Sequence, residues 1–196
     1  MQAGLRVCNN ARMHLFRAAL AAPLLSILLL ACASTRSPVR TVDQVDLPRY
    51  MGDWYVIAEI PNFAEKHCVD SVESYALRAD GGIDNWFSCR KKSFDAPMKR
   101  ITSARAMIAD QRTNATWHLR FLKVISVNYF ILDLDPNYRW VMIGHPSRSY
   151  GWVLARTKDL PDALYQSILE RAHSQGYDPT KFIRVPQYPT DAAGAR

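Results

Sequence analysis

The chain has 196 residues, 48% of them apolar, 22% charged and 11% aromatic, which suits one domain with a sizeable core. This composition excludes disorder as the main state, and one short apolar run, Ala18 to Leu30, excludes a polytopic membrane protein. The formal charge is +7, but Arg6, Arg12 and Arg17 supply three of those charges, and the +4 left beyond residue 31 is too mild to argue for nucleic acid.

Residues 1–31 hold those three arginines, no acid, and the run AALAAPLLSILLLA before Cys32. A basic stretch followed by a short apolar one is the physical signature of an export signal. Leu29-Leu30-Ala31-Cys32 resembles the lipobox of bacterial lipoprotein signals. The resemblance implies cleavage before Cys32 and acylation of that cysteine, by chains such as palmitate. Ala33, in place of an aspartate, resembles lipoproteins sorted to the outer membrane. On this reading residues 1–31 are a signal peptide, 32–40 a lipidated tether, 41–188 the folded domain and 189–196 a C-terminal tail. Met13 offers a second start, and a signal whose cleavage site merely contains a cysteine stays open as an alternative.

Beyond the tether, short apolar and β-branched runs alternate with turn chemistry. The predicted strands are Trp54–Ile60, Val72–Ala79, Ile83–Lys91, Ile101–Ile108, Thr116–Val124, Asn128–Leu134, Trp140–His145 and Tyr150–Arg156. Breakers such as Asp80-Gly81-Gly82 and Asp135-Pro136-Asn137 keep the connections short, so successive strands should be antiparallel neighbours. On one strand Trp117, Leu119 and Phe121 share a face. On another Trp152, Leu154 and Arg156 do. Cys68 and Cys89 flank one predicted hairpin in a chain bound for an oxidising compartment, which favours a structural disulfide over a reactive or metal-binding pair. A helix should follow Pro161, with Leu164, Ile168 and Ala172 as its apolar stripe and Gly176 as its stop. Lys181 to Val185 reads as a short closing strand. The expected fold is all-β: an eight-stranded up-and-down antiparallel barrel with one C-terminal α-helix packed outside. A barrel of that size can hold one small ligand.

The opening Gly52-Asp53-Trp54 resembles the G-x-W signature of the lipocalins. Asp135-Pro136-Asn137-Tyr138 lies where that family carries its T-D-Y-like turn, and Ala155-Arg156-Thr157 where it carries a third motif around an arginine. Residues 42–187 are similar to bacterial outer-membrane lipocalins of the Blc type, near the apolipoprotein D branch. The resemblance implies that Arg156 stacks on Trp54 across a closed barrel base approached through Gly52, all three being structural. It also implies a cavity lined by Trp152, Tyr129, Trp140, Phe121, Leu119, Val56 and Ala58, and fatty acids or lysophospholipids as ligands. Burying about fifteen methylenes yields ~12 kcal/mol gross, against ~4–15 kcal/mol for association. The implied partners are such a lipid, the membrane through Cys32, and a second copy of the chain as an admissible dimer partner, with no nucleic acid. Lys91, Lys92, Lys99 and Arg100 read as a solvated loop face sooner than as a headgroup site.

No nucleophile elbow, zinc-protease helix motif or phosphate loop occurs, and the five histidines lack metal-ligand spacing. The sequence therefore argues for a protein that is not an enzyme, with no metal and no cofactor. A lipocalin-fold enzyme acting on a small apolar substrate, or an envelope interaction protein with a filled barrel, are the alternatives.

Overall fold

The computed structural model describes residues 37–188 apart from Lys123; the expected signal peptide, Cys32 and the C-terminal tail lie outside the described residues. A short helix α1 (Leu47–Tyr50), capped by the Asp46 side chain, leads into the sheet. The strands are β1 (Gly52–Glu59), β2 (Cys68–Leu77), β3 (Ile83–Lys91), β4 (Lys99–Ile108), β5 (Thr116–Phe121), β6 (Ile125–Leu134), β7 (Trp140–Gly144) and β8 (Gly151–Ala155). Each pairs antiparallel with the next, and β1 pairs with both β2 and β8, which closes the barrel. Helix α2 (Asp162–Ser174) follows, then β9 (Ile183–Arg184), which adds to the upper end of β1. Pro161 sits at the N-cap position, one residue before the expected first turn.

Closure creates an inside and an outside, and each has its own core. The inner core includes Trp54, Val56, Tyr75, Phe87, Trp117, Tyr129, Ile143 and Leu154. The outer core lies where Tyr165, Ile168, Leu169 and Ala172 of α2 meet Ile57, Ala58, Trp140, Met142 and Val153. Strand β7 is buried at all five positions because its two faces serve the two cores.

The alternation of faces breaks at bulges. In β1 the pairing with β8 shifts between Val56 and Ala58, so Ile57 and Ala58 both face outward and Glu59 returns to the inner face opposite Trp152. A similar shift between Ile131 and Asp133 leaves Leu132 and Asp133 both on the helix side and returns Leu134 to the inner face. The β5–β6 connection also differs from expectation. The chain turns at Leu122 to Val124, with Leu122 at φ 48°, and not near Ser126. Leu122 and Val124 here are apolar and no Gly, Pro, Asn or Asp occurs, so composition gave no sign of the turn.

One residue seals the lower end. The Arg156 guanidinium stacks 3.8 Å from the Trp54 ring centre. It also donates to the carbonyls of Arg49 and Met51 at 2.8 Å, Tyr50 at 3.1 Å and Asp53 at 2.8 Å. The indole N–H of Trp54 donates to the Tyr50 carbonyl at 2.8 Å. Gly52 takes φ 93°, a left-handed value, and a Cβ there would lie 3.4 Å from the guanidinium. Tyr138 joins the same end: its hydroxyl accepts from the Asp46 N–H, and Arg49 lies over its ring. The Cys68–Cys89 disulfide ties β2 to β3 at the opposite end.

Arg156→Ala leaves those carbonyls without their charged donor and should lower stability by about 3 kcal/mol, roughly 10 °C in melting temperature. Thermal denaturation monitored by circular dichroism measures it, and an unchanged melting curve removes this account of the base.

Candidate functional site

The inner face divides into a packed floor and an upper part whose side chains grow more exposed toward the rim. Tyr50, Tyr75, Trp117 and Tyr129 form the floor, brought together from α1, β2, β5 and β6. Trp117 stacks on Tyr129 at 4.8 Å between ring centres, and Tyr50 meets Trp117 edge-on at 5.2 Å. The hydroxyls of Tyr50 and Tyr75 share hydrogen bonds with that of Tyr129 at 2.7 and 2.8 Å. Burial pushes the phenols of Tyr75 and Tyr129 well above their usual range, so the three hydroxyls form a neutral network.

Above the floor the walls become progressively wetter. Along the inner face of β6, Ile131 is 0% exposed, Tyr129 7% and Ile125 53%, with Val127 between them. On β5, Trp117 and Leu119 are buried and Phe121 is half-buried. The bore therefore opens toward the β5–β6 turn. Ala104 and Ala106 contribute only methyl groups to the facing wall on β4.

Three carboxyl groups gather in this upper part. Glu73 accepts from the Asn85 side-chain amide at 2.6 Å. Glu65, on the β1–β2 loop, accepts from the Trp152 indole N–H at 3.1 Å and bonds to Glu59. Burial pushes Glu59 up to about 10, helped by the hydrogen bond and charge of Glu65 and opposed by Lys91. Burial likewise pushes Glu73 up to about 8, with the Glu65 charge adding and Asn85 opposing. Both groups are thus protonated at neutral pH and able to donate.

Five of the seven residues expected around a cavity, Val56, Leu119, Phe121, Tyr129 and Trp152, belong to or border the inner core. Ala58 and Trp140 do not. The β1 bulge turns Ala58 outward, and Trp140 lies beneath α2 with Arg171 5.1 Å over its ring. The carboxyl groups and the tyrosine network were not foreseen. Glu73 shares strand parity with Tyr75, a signal available in the sequence, whereas the inward turn of Glu59 depends on a bulge that no residue announces. Beside the mouth, between the β1–β2 loop and the chain after β9, lies a cleft of about 450 Å³ lined in part by Glu59, Phe63, Glu65 and Ile183. Among the described residues no group of three or more His, Cys, Asp or Glu side chains is arranged to hold a metal ion.

A closed eight-stranded barrel, sealed by an arginine on a tryptophan and followed by one helix, agrees with a match to the lipocalin-like domain model over residues 45–187. The chain belongs to the lipocalins. Among curated lipocalins, outer membrane lipoprotein Blc of Escherichia coli K12 is 32% identical over 171 residues, 85% of this chain and 94% of Blc. Temperature-induced lipocalin-1 of Arabidopsis thaliana is 31% identical over 163 residues, 79% of this chain and 86% of that one. Insecticyanin from the tobacco hornworm shares the lipocalin fold at TM-score 0.61 and 16% identity, covering 79% of this chain and 86% of its own. Lobster apocrustacyanin A1 does so at TM-score 0.57 and 12% identity, covering 73% and 80%.

The raised carboxyl groups have a stability consequence of definite sign. An unfolded glutamate ionises near ~4.3, whereas folded Glu73 holds its proton up to about 8. Its stabilising effect is complete below the unfolded value and declines by about 1.4 kcal/mol per pH unit as pH rises toward the folded one. Glu73→Gln should therefore raise the melting temperature at pH 8 relative to wild type by more than it does at pH 4. Parallel melting curves for the two proteins across that range would contradict the assignment.

Proposed function

We propose that this lipocalin binds and carries or stores single-chain lipids, fatty acids or lysophospholipids, with the acyl chain in the upper bore. The reading is carried by the rise in exposure on the inner faces of β5 and β6 above a sealed aromatic floor. An acyl chain entering there would lie against Phe121, Leu119, Leu154 and the two alanines of β4, which belong to or border the inner core. The packed floor limits depth: about ten buried methylenes give ~8 kcal/mol gross, against association costs of ~4–15 kcal/mol. Micromolar binding is reachable where the lumen is preformed.

The carboxyl groups can serve either headgroup. At neutral pH Glu59 and Glu73 hold their protons, so a fatty-acid carboxylate placed beside them meets donors, and an ammonium-bearing lysophospholipid meets their carbonyl oxygens as acceptors. Cys32 is the proposed lipid anchor, in a bacterial outer membrane. The lipobox-like sequence before it and the outer membrane lipoproteins among the relatives support that placement.

Calorimetric titration with lysophosphatidylethanolamine and with the free fatty acid of equal chain length tests the reading. Saturable binding of both is expected, weakened about tenfold or more by Phe121→Ala. Trp140→Phe, beneath the helix, should leave it unchanged. Absence of saturable binding of either lipid by the wild-type protein would overturn the proposal.

A further inference from the structure

The two ends of the barrel differ in what their loops present. The three strand-to-strand connections at the sealed end, residues 78–82, 109–115 and 135–139, contain no Phe, Leu, Ile, Val or Met, and Leu160 in the connection to α2 is buried. Their charges are paired, Arg78 with Asp80 and Asp84, Arg112 with Asp110, and Arg139 with Asp135. At the open end each of the four connections carries an exposed apolar side chain at its tip or flank. Phe63 on the β1–β2 loop is 92% exposed, Leu122 and Val124 at the β5–β6 turn 83% and 82%, and Met98 and Tyr150 complete the rim. Of the other exposed apolar residues, Leu77 and Met107 sit singly on strands, and Ile183 lines the cleft beside Phe63 at the mouth.

The same end is basic. Lys66, Lys92, Lys99, Arg100 and Arg120 are exposed there, and the one exposed carboxylate in the four loops is Asp95. Among the described residues, Lys66, Lys92, Lys99 and Arg120 take part in no ion pair. Apolar tips ringed by cations fit the boundary of an anionic bilayer, where side chains enter the acyl layer and lysines stay among phosphates.

The chain entering the domain points the same way. The Arg148 guanidinium, on the β7–β8 loop at the open end, donates to the Ser37 carbonyl, and its Nε donates to the Gln175 carbonyl. The backbone N–H of Arg40 is held by the Gln175 side chain at 2.9 Å. The first described residue is thus fixed beside the mouth, and Cys32 lies five residues before it. Five extended residues reach at most about 18 Å.

From the rim, its charge and the position of Ser37, we propose that the open end of this lipocalin docks directly on an anionic phospholipid surface, mouth toward the membrane. Phe63, Leu122 and Val124 insert, and Lys66 and Lys92 bind headgroups. A membrane favours this geometry because an acyl chain then passes between bilayer and bore without crossing water. The docking itself does not depend on what the bore holds.

Both cores and every strand lie within residues 37–188, so the chain from residue 32 onward, with Cys32→Ser to remove acylation, serves for the test. Flotation is measured with vesicles of phosphatidylglycerol and phosphatidylethanolamine, and with vesicles of phosphatidylcholine alone. Binding is expected to the anionic vesicles, weakened by added salt and by Lys66→Glu with Lys92→Glu. Phe63→Ser and Leu122→Ser with Val124→Ser should each weaken it at least about tenfold, with unchanged melting temperature because these side chains are exposed. No binding to anionic vesicles, or binding unaffected by the rim substitutions, overturns docking. So does a dimer in sedimentation that the rim substitutions dissociate, since a second copy then covers the rim. Lysophospholipid titration of the same samples separates the two proposals: binding without docking defeats this one alone, and docking without binding defeats the carrier reading alone.

Discussion

A closed sheet gives every backbone group a partner along its strands, but it leaves two ends, and the lower one here depends on Arg156. The guanidinium is planar and carries five donors in a fixed fork, so it can lie on an indole and serve several carbonyls together. It draws the carbonyls of residues 49 to 51 and of residue 53 toward one point, on the face of Trp54. Helix α1 is thereby held across the barrel end, and Tyr50 is delivered to the floor. Lysine could not replace it, because a single ammonium cannot both stack and reach that spread of acceptors.

The floor so fixed decides what the rest of the bore can do. Aromatic rings with mutually bonded hydroxyls fill the lower part, and chemistry is left to the upper part, where walls are apolar and the polar groups are few. Glu59, Glu65, Glu73 and Asn85 come from three neighbouring stretches: the end of β1, the loop after it, and the β2–β3 pair. Their carboxyl groups are costly to bury ionised, and two of them keep their protons instead. The upper bore therefore offers donors as well as acceptors to whatever enters.

Much of this architecture was legible in the sequence. Turn residues at Asp80-Gly81-Gly82 and Asp135-Pro136-Asn137 located hairpins, and Ile83–Lys91 was bounded without error. The apolar stripe Leu164, Ile168, Ala172 announced a helix lying on a sheet. Gly52, Trp54 and Arg156 marked the base because their roles depend on local chemistry. What was not legible were features set by register. A bulge adds one residue and reverses every face beyond it, which sent Ala58 outward and Glu59 inward. Trp140 was misassigned for a related reason: a strand buried on both sides shows no alternation to read. The turn at Leu122 to Val124 escaped because apolar residues there suggest a continuing strand.

The central claim is a lumen shut at the Arg156 end and open at the other, with room for an acyl tail above Tyr129. A crystal structure with a lysophospholipid brominated near its chain terminus locates the tail through anomalous scattering. The account predicts bromine within the barrel, above the Tyr129 ring and between Phe121 and Leu154. Bromine in the lateral cleft beside Phe63 and Ile183, with the bore unoccupied, would contradict it.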